Sequence, residues 1–146
     1  MAHQDKGDPY KLHRFVDAQK SVYARARAEL SVGQKRGHWI WFIFPQFKGL
    51  GMSPISQEFG IDSLDEAKAY LNHPILGARL KECTQLVLNV EGRSVDQIFG
   101  YPDNLKFRSC MTLFAISTSE IQIFKDALAK YFHGEGDPLT LEHLRS

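Results

Sequence analysis

The fold of this chain is decided by residues 35–51, which read Lys35-Arg36-Gly37-His38-Trp39-Ile40-Trp41-Phe42-Ile43-Phe44-Pro45-Gln46-Phe47-Lys48-Gly49-Leu50-Gly51. Six large apolar residues, 39–44, stand in a row and include both tryptophans of the chain. Burying them contributes on the order of 10–15 kcal/mol of gross stabilisation, about the net stability of a whole domain. We therefore expect the rest of the chain to wrap around this segment.

The secondary structure of the aromatic segment, residues 38–44, has two competing interpretations. Aromatic and β-branched residues in a run of this length favour a buried strand by intrinsic propensity. However, no other segment offers a strand partner of similar quality, and a lone strand leaves its backbone groups unpaired. We therefore predict a buried helix that ends at the turn Gly49-Leu50-Gly51, with a strand as the alternative.

Helical periodicity and capping patterns account for most of the remaining chain. Apolar residues recur at helical spacing over about 9–18, 22–30, 64–71, 75–91, 103–114, 121–132 and 139–144, and shorter turns follow Ser53 and Ser94. Capping-box patterns begin at Ser63, Ser94 and Ser119. On the second of these stretches, Glu29 falls on the outward side.

Together these patterns predict an all-α fold: a single compact multihelical domain of about eight short-to-medium helices around residues 38–44. The domain is predicted to span residues 8–146 and to follow a disordered N-terminal tail of residues 1–7. Cys83 and Cys110 have no CxxC partner, so we expect both to be buried, reduced thiols.

Composition and charge exclude several classes of function. Hydrophobic residues make up 43% of the chain and charged residues 24%, as in an ordinary globular domain. The net charge is +1, and Lys and Arg form no basic stripe, which argues against a nucleic-acid-binding role. The longest apolar run is far shorter than a membrane span, and the first residues do not resemble a signal peptide. We expect a cytoplasmic protein with no membrane association.

Several residues of the central stretch are candidates for ligand binding. His38 abuts the aromatic residues, where an imidazole can act as a general acid or base, or simply hydrogen-bond to the backbone. Trp39 and Trp41 are two residues apart, about 200° on a helix, so they face different directions and at least one is free to line a cleft. Gln46, held after Pro45, can bind a ligand amide or cap a helix end.

The turn that follows offers a candidate anion site. Free N–H groups around Gly49, Gly51 and Ser53 precede a helix start and can hold an anion, and Lys48 adds positive charge nearby. A tight turn beside bulky aromatic residues is the alternative interpretation, because a bare Gly-x-Gly pattern is weak evidence of binding.

The sequence gives no reason to expect a metal or a cofactor. The six histidines, at 3, 13, 38, 73, 133 and 143, show no HxH or HxxxH spacing and no cluster with cysteine. The chain also has no Walker A loop and no GxSxG elbow. We therefore assign no metal-ligating residue and no cofactor.

Several stretches carry a resemblance to a bacterial family. They are Tyr10–Gln19, Gly37–Gly51, Ser63–Leu71, His73–Gly77, Ile98–Gly100 and Ser109–Phe114. On these residues the chain resembles an uncharacterised family catalogued as domain-of-unknown-function family 1810, whose members are often labelled "calpastatin". The resemblance implies a single multihelical domain and brings no established reaction, so it assigns no catalytic residue. The label has no support, because calpain inhibition uses long disordered repeats and this chain is free of repeats.

We predict that the protein binds a small nucleotide-like ligand in an aromatic pocket with a polar rim. Arg14 and Gln19 complete the candidate set, at spacings that can bring them near one pocket. One alternative is a protein-interaction adaptor that presents an apolar surface from Phe47–Met52 and the C-terminal helix. Another is an enzyme acting on ADP-ribose or NAD derivatives, because the block His38–Gln46 is similar in its helical plan to the YbiA-like domains. The sequence leaves a homodimer open.

Overall fold

The computed structural model describes residues 7–145, and side chains as far as residue 144, and ten α-helices occur in this part of the chain. They are α1 (His13–Gln19), α2 (Tyr23–Ser31), α3 (Ile40–Ile43), α4 (Pro54–Phe59), α5 (Leu64–Asn72), α6 (Leu76–Asn89), α7 (Val95–Phe99), α8 (Asp103–Ser117), α9 (Ile123–Phe132) and α10 (Pro138–Arg145). No β-strand occurs in these residues, and an isolated bridge pairs Phe47 with Ile61. The prediction of an all-α fold is confirmed, with slightly more helices than expected.

Two further expectations concern the ends of the chain and the membrane. The disordered tail predicted for residues 1–7 lies, apart from Gly7, outside the described residues. None of the helices in the described part combines the length and the apolar character that crossing a membrane requires.

Helix α8 is the centre of the packing. It contacts α3, α5, α7, α9 and α10, and residues on nearly all of its sides are buried. Its buried hydroxyl groups stay satisfied because each donates to the carbonyl four residues earlier: Ser109 to Leu105, Thr112 to Arg108 and Ser117 to Leu113. Polar residues on α8 are therefore compatible with its place in the core.

The aromatic segment forms a buried helix, as predicted, but a short one. Helix α3 covers only Ile40–Ile43, because the residues on either side have non-helical backbone angles. Five of the six apolar residues are buried, and Phe42 is half-buried. The Phe44 ring packs edge-on against Phe99 and Phe107, with centroid distances of 5.9 Å and 5.0 Å. The segment thus lies in the core and contacts the centre of the fold.

Two of the three predicted capping-box patterns mark the start of a helix. The hydroxyls of Ser63 and Ser94 accept hydrogen bonds from the backbone N–H three residues on, and the capping box at Ser94 is complete. The pattern at Ser119 does not cap a helix, because α9 begins only at Ile123 and its N-cap makes no side-chain bond.

Helix α1 begins at His13 rather than at residue 9. Asp8 nevertheless satisfies its first free donors, because its carboxylate accepts hydrogen bonds from the N–H groups of Leu12 (2.7 Å) and His13 (2.9 Å). Burial alone would raise the pKa of Asp8, but its hydrogen bonds to Leu12 and His13 lower it overall.

Glu29 on α2 is buried, although the sequence pattern places it on the outward side of the helix. Its Oε1 accepts hydrogen bonds from the backbone N–H groups of Arg36 (2.8 Å) and Gly37 (3.0 Å), and from the indole N–H of Trp39 (2.8 Å). Its Oε2 accepts from the Nε of Arg25 (3.0 Å). One carboxylate therefore anchors the loop between α2 and α3.

These hydrogen bonds make the ionisation of Glu29 part of the stability of the fold. Burial alone would raise the pKa of Glu29, but the four donors outweigh it and lower the pKa from 4.5 to about 2. The stability that this ionisation supplies is fully present above about pH 4.5 and is lost as the pH falls towards 2.

We expect the substitution Glu29→Gln to lower the free energy of unfolding by about 2–4 kcal/mol at neutral pH, because a neutral amide replaces a buried carboxylate that satisfies four donors. Arg25→Ala is the matched control, since the Arg25 side chain is 67% exposed and an exposed ion pair contributes less than about 1 kcal/mol. Urea unfolding followed by circular dichroism measures both changes. Equal losses in the two variants would contradict the anchoring role of Glu29.

The effect of Glu29→Gln is also expected to depend on pH. The difference in free energy of unfolding between the native protein and the variant should shrink as the pH falls from 4.5 to about 2, because only the native carboxylate takes up a proton in that range. Urea unfolding at a series of pH values measures the difference. A difference that stays constant down to pH 2 would show that folding does not lower the pKa of Glu29.

Candidate functional site

A small pocket lies where the loop after α2, helix α3, the start of α4 and the first turn of α8 meet. Its cavity volume is about 190 Å³. We call it the Trp41 pocket; the residues that line it are Lys35, His38, Ile40, Trp41, Phe42, Ser53, Ile55, Asp103 and Lys106. Three of the residues predicted from the sequence are therefore brought together here: His38, Trp41 and Ser53.

Asp103 lies between the two lysines of the pocket. Its carboxylate is 2.6 Å from the Nζ of Lys35 and 3.5 Å from the Nζ of Lys106. The Lys35 side chain is only 5% exposed, and its Nζ also donates to the carbonyl of Gly37 and lies 5.0 Å from the centre of the Trp39 ring. Two positive charges and one negative charge leave the pocket with one uncompensated positive charge.

The apolar side of the pocket comes from α3. Trp41 is buried, so most of its indole is packed in the protein and a small part reaches the cavity. Phe42 is half-buried, and its ring packs edge-on against Phe59 at a centroid distance of 4.8 Å. His38 is exposed at the end of the loop before α3. The pocket thus presents aromatic surface with an imidazole beside it.

Ser53 is the N-cap of α4, at the edge of the pocket. Its Oγ accepts a hydrogen bond from the N–H of Ser56 at 3.1 Å, and Pro54, the first residue of the helix, has no N–H to offer. At the start of α4, therefore, neither Pro54 nor Ser56 offers a free N–H to the anion site predicted at this turn. The hydroxyl hydrogen of Ser53 stays available to donate to a ligand.

Two of the predicted residues are buried elsewhere and connect secondary-structure elements. Trp39 donates its indole N–H to Glu29 and does not line the pocket. Gln19 donates to the carbonyl of Phe42 at 2.8 Å and accepts from Arg79 at 3.2 Å, so its carboxamide joins α1 to α3 and α6. Both side chains stabilise the framework around the pocket and do not contribute to its surface.

The residues of the turn after α3 do not all lie at the Trp41 pocket. Gln46 is buried and is not among the residues that line the pocket. Gly51 lies beside Trp41, since a Cβ at Gly51 would be 3.5 Å from the indole ring. Gly49 has a φ of +96° and faces His143 of α10, 3.3 Å from where its Cβ would be. Only the later part of the turn therefore approaches the Trp41 pocket.

Arg14 and Lys48 line a different pocket, with a volume of about 520 Å³. The Arg14 guanidinium donates to the carbonyls of Tyr10, Lys11, Glu58 and Gly60 and to the carboxylate of Glu66. These bonds tie α1 to the segment before α5, which gives Arg14 a structural role. Lys48 lies 3.8 Å from Asp62 in the same region.

The surface predicted for an adaptor is only partly exposed. Phe47 is buried, and its ring lies 6.0 Å from that of His143 on α10. Met52 and, on α10, Leu139 are exposed. Because Phe47 packs inward, the Phe47–Met52 segment contributes little more than Met52 to such a surface.

Asp103 and Lys106 line the pocket but were not predicted from the sequence as site residues. Asp103 reads as the start of a helix after Pro102, and Lys106 as a solvated residue of its first turn. The local signal for a site is their spacing of three residues, which puts both on one side of α8. Their partner Lys35 lies far away in the sequence, and no local pattern connects the three.

Other reactive groups do not gather at this pocket. In the described part of the chain, no group of three or more His, Cys, Asp or Glu residues is arranged to hold a metal ion. Cys83 and Cys110 are free and buried, as expected, and burial raises the pKa of both thiols.

Comparison with known proteins gives two matches. The profile of a family described as "Protein of unknown function (DUF1810)" matches residues 9–144. The crystal structure of the conserved hypothetical protein Rv1873 from Mycobacterium tuberculosis is similar to this chain, with a TM-score of 0.94 and 54% sequence identity over 95% of this chain and 99% of that chain. No curated protein matches. These matches bear on the family and the fold and assign no ligand or reaction.

We expect Asp103→Asn to lower the free energy of unfolding by about 3 kcal/mol, because it leaves the buried Lys35 ammonium without an anionic partner. Lys106→Gln, which removes the more exposed partner of Asp103, should lower it by less than about 1 kcal/mol. Adding Lys35→Met to the Asp103→Asn variant should restore part of the loss, since the unpaired charge is then gone. Urea unfolding measures the free energy of unfolding of all three variants. If the double variant recovers no stability, the loss in Asp103→Asn arises from packing and not from an unpaired charge.

Proposed function

The chain belongs to the DUF1810 family, and we propose that its Trp41 pocket binds a small nucleotide-like ligand. The observation that supports this proposal best is that an aromatic surface, an exposed imidazole and an uncompensated positive charge line one cavity. A nucleotide combines a flat ring with an anionic group, which are the two features that such a lining can recognise.

The volume of the pocket indicates which part of the ligand enters it. Pockets that enclose a drug-sized ligand measure about 300–1,000 Å³, whereas the Trp41 pocket measures about 190 Å³. A space of this size suits one ring, with the remainder of the ligand at the surface. Trp41 and Phe42 supply the apolar contact for that ring.

The polar groups of the pocket provide directional contacts for a ring and its substituents. The Asp103 carboxylate can accept a hydrogen bond from a ring N–H or an exocyclic amine, and the Ser53 hydroxyl can donate one. Lys106 has a side chain that is 34% exposed, so its Nζ can reach an anionic group at the surface. Asp103 lies closer to Lys35 (2.6 Å) than to Lys106 (3.5 Å), and Lys35 is buried, so Lys106 is the contact for a phosphate.

A second candidate function, an enzyme acting on ADP-ribose or NAD derivatives, rests on the same pocket. His38 is exposed at its edge, and an imidazole in such a position can act as a general acid or base. Incubating the protein with NAD and with ADP-ribose, followed by chromatography, tests this candidate. Recovery of both compounds unchanged would contradict the enzymatic function and would leave binding without catalysis as the proposal.

We expect AMP to raise the midpoint of thermal unfolding and to change the fluorescence of Trp41, and adenosine to do so more weakly. Lys106→Gln should weaken the binding of AMP about tenfold and leave the binding of adenosine unchanged, because only AMP carries a phosphate. Lys68→Gln is the matched control: Lys68 is an exposed lysine of α5 that does not line this pocket.

Fluorescence titration of the native protein and both variants measures these affinities. The proposal fails if AMP, nicotinamide mononucleotide and ADP-ribose all leave the thermal midpoint and the fluorescence unchanged at millimolar concentration. It also fails for this pocket if Lys68→Gln weakens the binding of AMP as much as Lys106→Gln does.

A further inference from the structure

A further pocket, with a volume of about 460 Å³, opens between the second half of α8, helix α9 and the first turn of α10. We call it the Ala129 pocket; small and apolar residues form much of its lining, among them Ala115, Ile116, Leu128, Ala129, Gly136 and Leu141. It shares no lining residue with the Trp41 pocket. A ligand bound here is therefore independent of the function proposed above.

The buried residues of the Ala129 pocket present apolar surface. Ala115 and Leu128 are apolar, and Thr112 is the third buried residue of the lining. The hydroxyl of Thr112 donates to the carbonyl of Arg108 and accepts from the N–H of Asp137, both at 2.8 Å. Its methyl group lies towards Gly136, where a Cβ would be 3.1 Å away. Because these buried groups need no further hydrogen bond, they favour an apolar part of a ligand.

The Ala129 pocket is open because several of its residues are small. Ala115 and Ala129 carry only a methyl group, and a Cβ at Gly134 would meet nothing within 4 Å. Ile116, at the same pocket, is 42% exposed, and an alkyl group bound there would cover part of it. Pockets that enclose a small ligand measure about 300–1,000 Å³ and are mostly apolar with a few polar groups. The Ala129 pocket has both properties.

The charged groups of the pocket lie on the first turn of α9. Asp126 accepts a hydrogen bond from the Nε2 of Gln122 at 3.3 Å. Lys125 is exposed, and its Nζ has no ion pair or hydrogen bond with the residues that the structure describes. Of the two opposite charges, the cation is therefore the one without a partner. A ligand carboxylate supplies that partner, whereas a ligand cation would compete with Gln122 for Asp126.

We propose that the Ala129 pocket binds a medium-chain aliphatic carboxylate. Its alkyl chain packs against Ala115, Leu128 and the methyl group of Thr112, and its carboxylate accepts a hydrogen bond from Lys125 at the surface. Among the described residues that line the pocket none is aromatic, so the lining favours a flexible chain over a flat ring. This preference distinguishes it from the Trp41 pocket.

Octanoate is a suitable probe, because it combines an unbranched alkyl chain with one carboxylate. Titration of the full ¹⁵N-labelled chain with octanoate should shift the amide signals of residues 112–116, 125–129 and 134–136 in a saturable way. Hexanoate, which is two methylene groups shorter, should bind about tenfold more weakly. The proposal is overturned if octanoate causes no saturable shifts, or if hexanoate binds equally well, since the chain is then not buried.

Lys125→Gln tests the contact with the carboxylate. Because the ion pair is exposed, the dissociation constant for octanoate should rise about three- to fivefold. Octylamine, with the same chain and the opposite charge, should bind the native protein more weakly than octanoate does. Lys68→Gln, at an exposed lysine of α5 outside the pocket, should leave the titration unchanged. Octylamine binding as tightly as octanoate would overturn the role given to Lys125.

Ala129→Leu tests the location of the alkyl chain. Ala129 is exposed on α9, so a larger side chain fills the pocket without crowding the core, and we expect the variant to stay folded. Its dissociation constant for octanoate should rise about tenfold. Ala28→Leu, at an exposed alanine of α2, is the matched control and should bind as the native protein does. Unchanged binding in Ala129→Leu would overturn the proposal. So would signals of the pocket residues that move with protein concentration in the absence of octanoate, because a second copy of the chain would then cover the pocket.

Discussion

The hydrogen bonds to the buried carboxylate of Glu29 are the constraint on which the Trp41 pocket depends. They satisfy two backbone N–H groups of the loop between α2 and α3 and the indole N–H of Trp39, which would otherwise be buried without partners. With Trp39 held on that side, Trp41 two residues later lies towards the pocket. The same loop carries Lys35 to Asp103. The pocket is therefore set by polar bonds to one carboxylate as much as by aromatic packing.

Helix α8 connects the core of the protein with the Trp41 pocket. Most of the helix is buried, so its neighbours hold it in place. Its hydroxyl groups donate to carbonyl groups of the same helix and need no other partner. Its first turn emerges from the core with Asp103 and Lys106 on one face and Asn104 and Leu105 on another. Polar groups on a rigid, well-packed element keep their positions better than groups on a free loop, which suits them to recognition.

The helices could be predicted from the sequence because their signals are local, and the site only in part because its contacts are not. The capping box at Ser94 lies within four residues, and the structure contains it. Glu29 looks solvent-facing on its own helix, and it is buried only because the following loop folds back over it. The local pattern at Asp103 is typical of a helix start, and it gives no sign of the ion pair with the distant Lys35. Gln46 follows the aromatic segment in sequence yet packs away from the pocket, because α3 ends before it.

Under the proposed function, the ion pair between Lys35 and Asp103 serves recognition more than stability. Moving a charge out of water is unfavourable by several kcal/mol per ion, and an apolar pair of similar volume is often as stable or more stable. The aromatic core around Phe44 and Phe107 supplies apolar burial without any charge. At the wall of a pocket, however, the pair fixes a carboxylate between two ammonium groups and so sets the charge that a ligand meets. Because the pair adds little to the folded state that apolar residues would not, its position favours a role in binding a polar, anionic molecule.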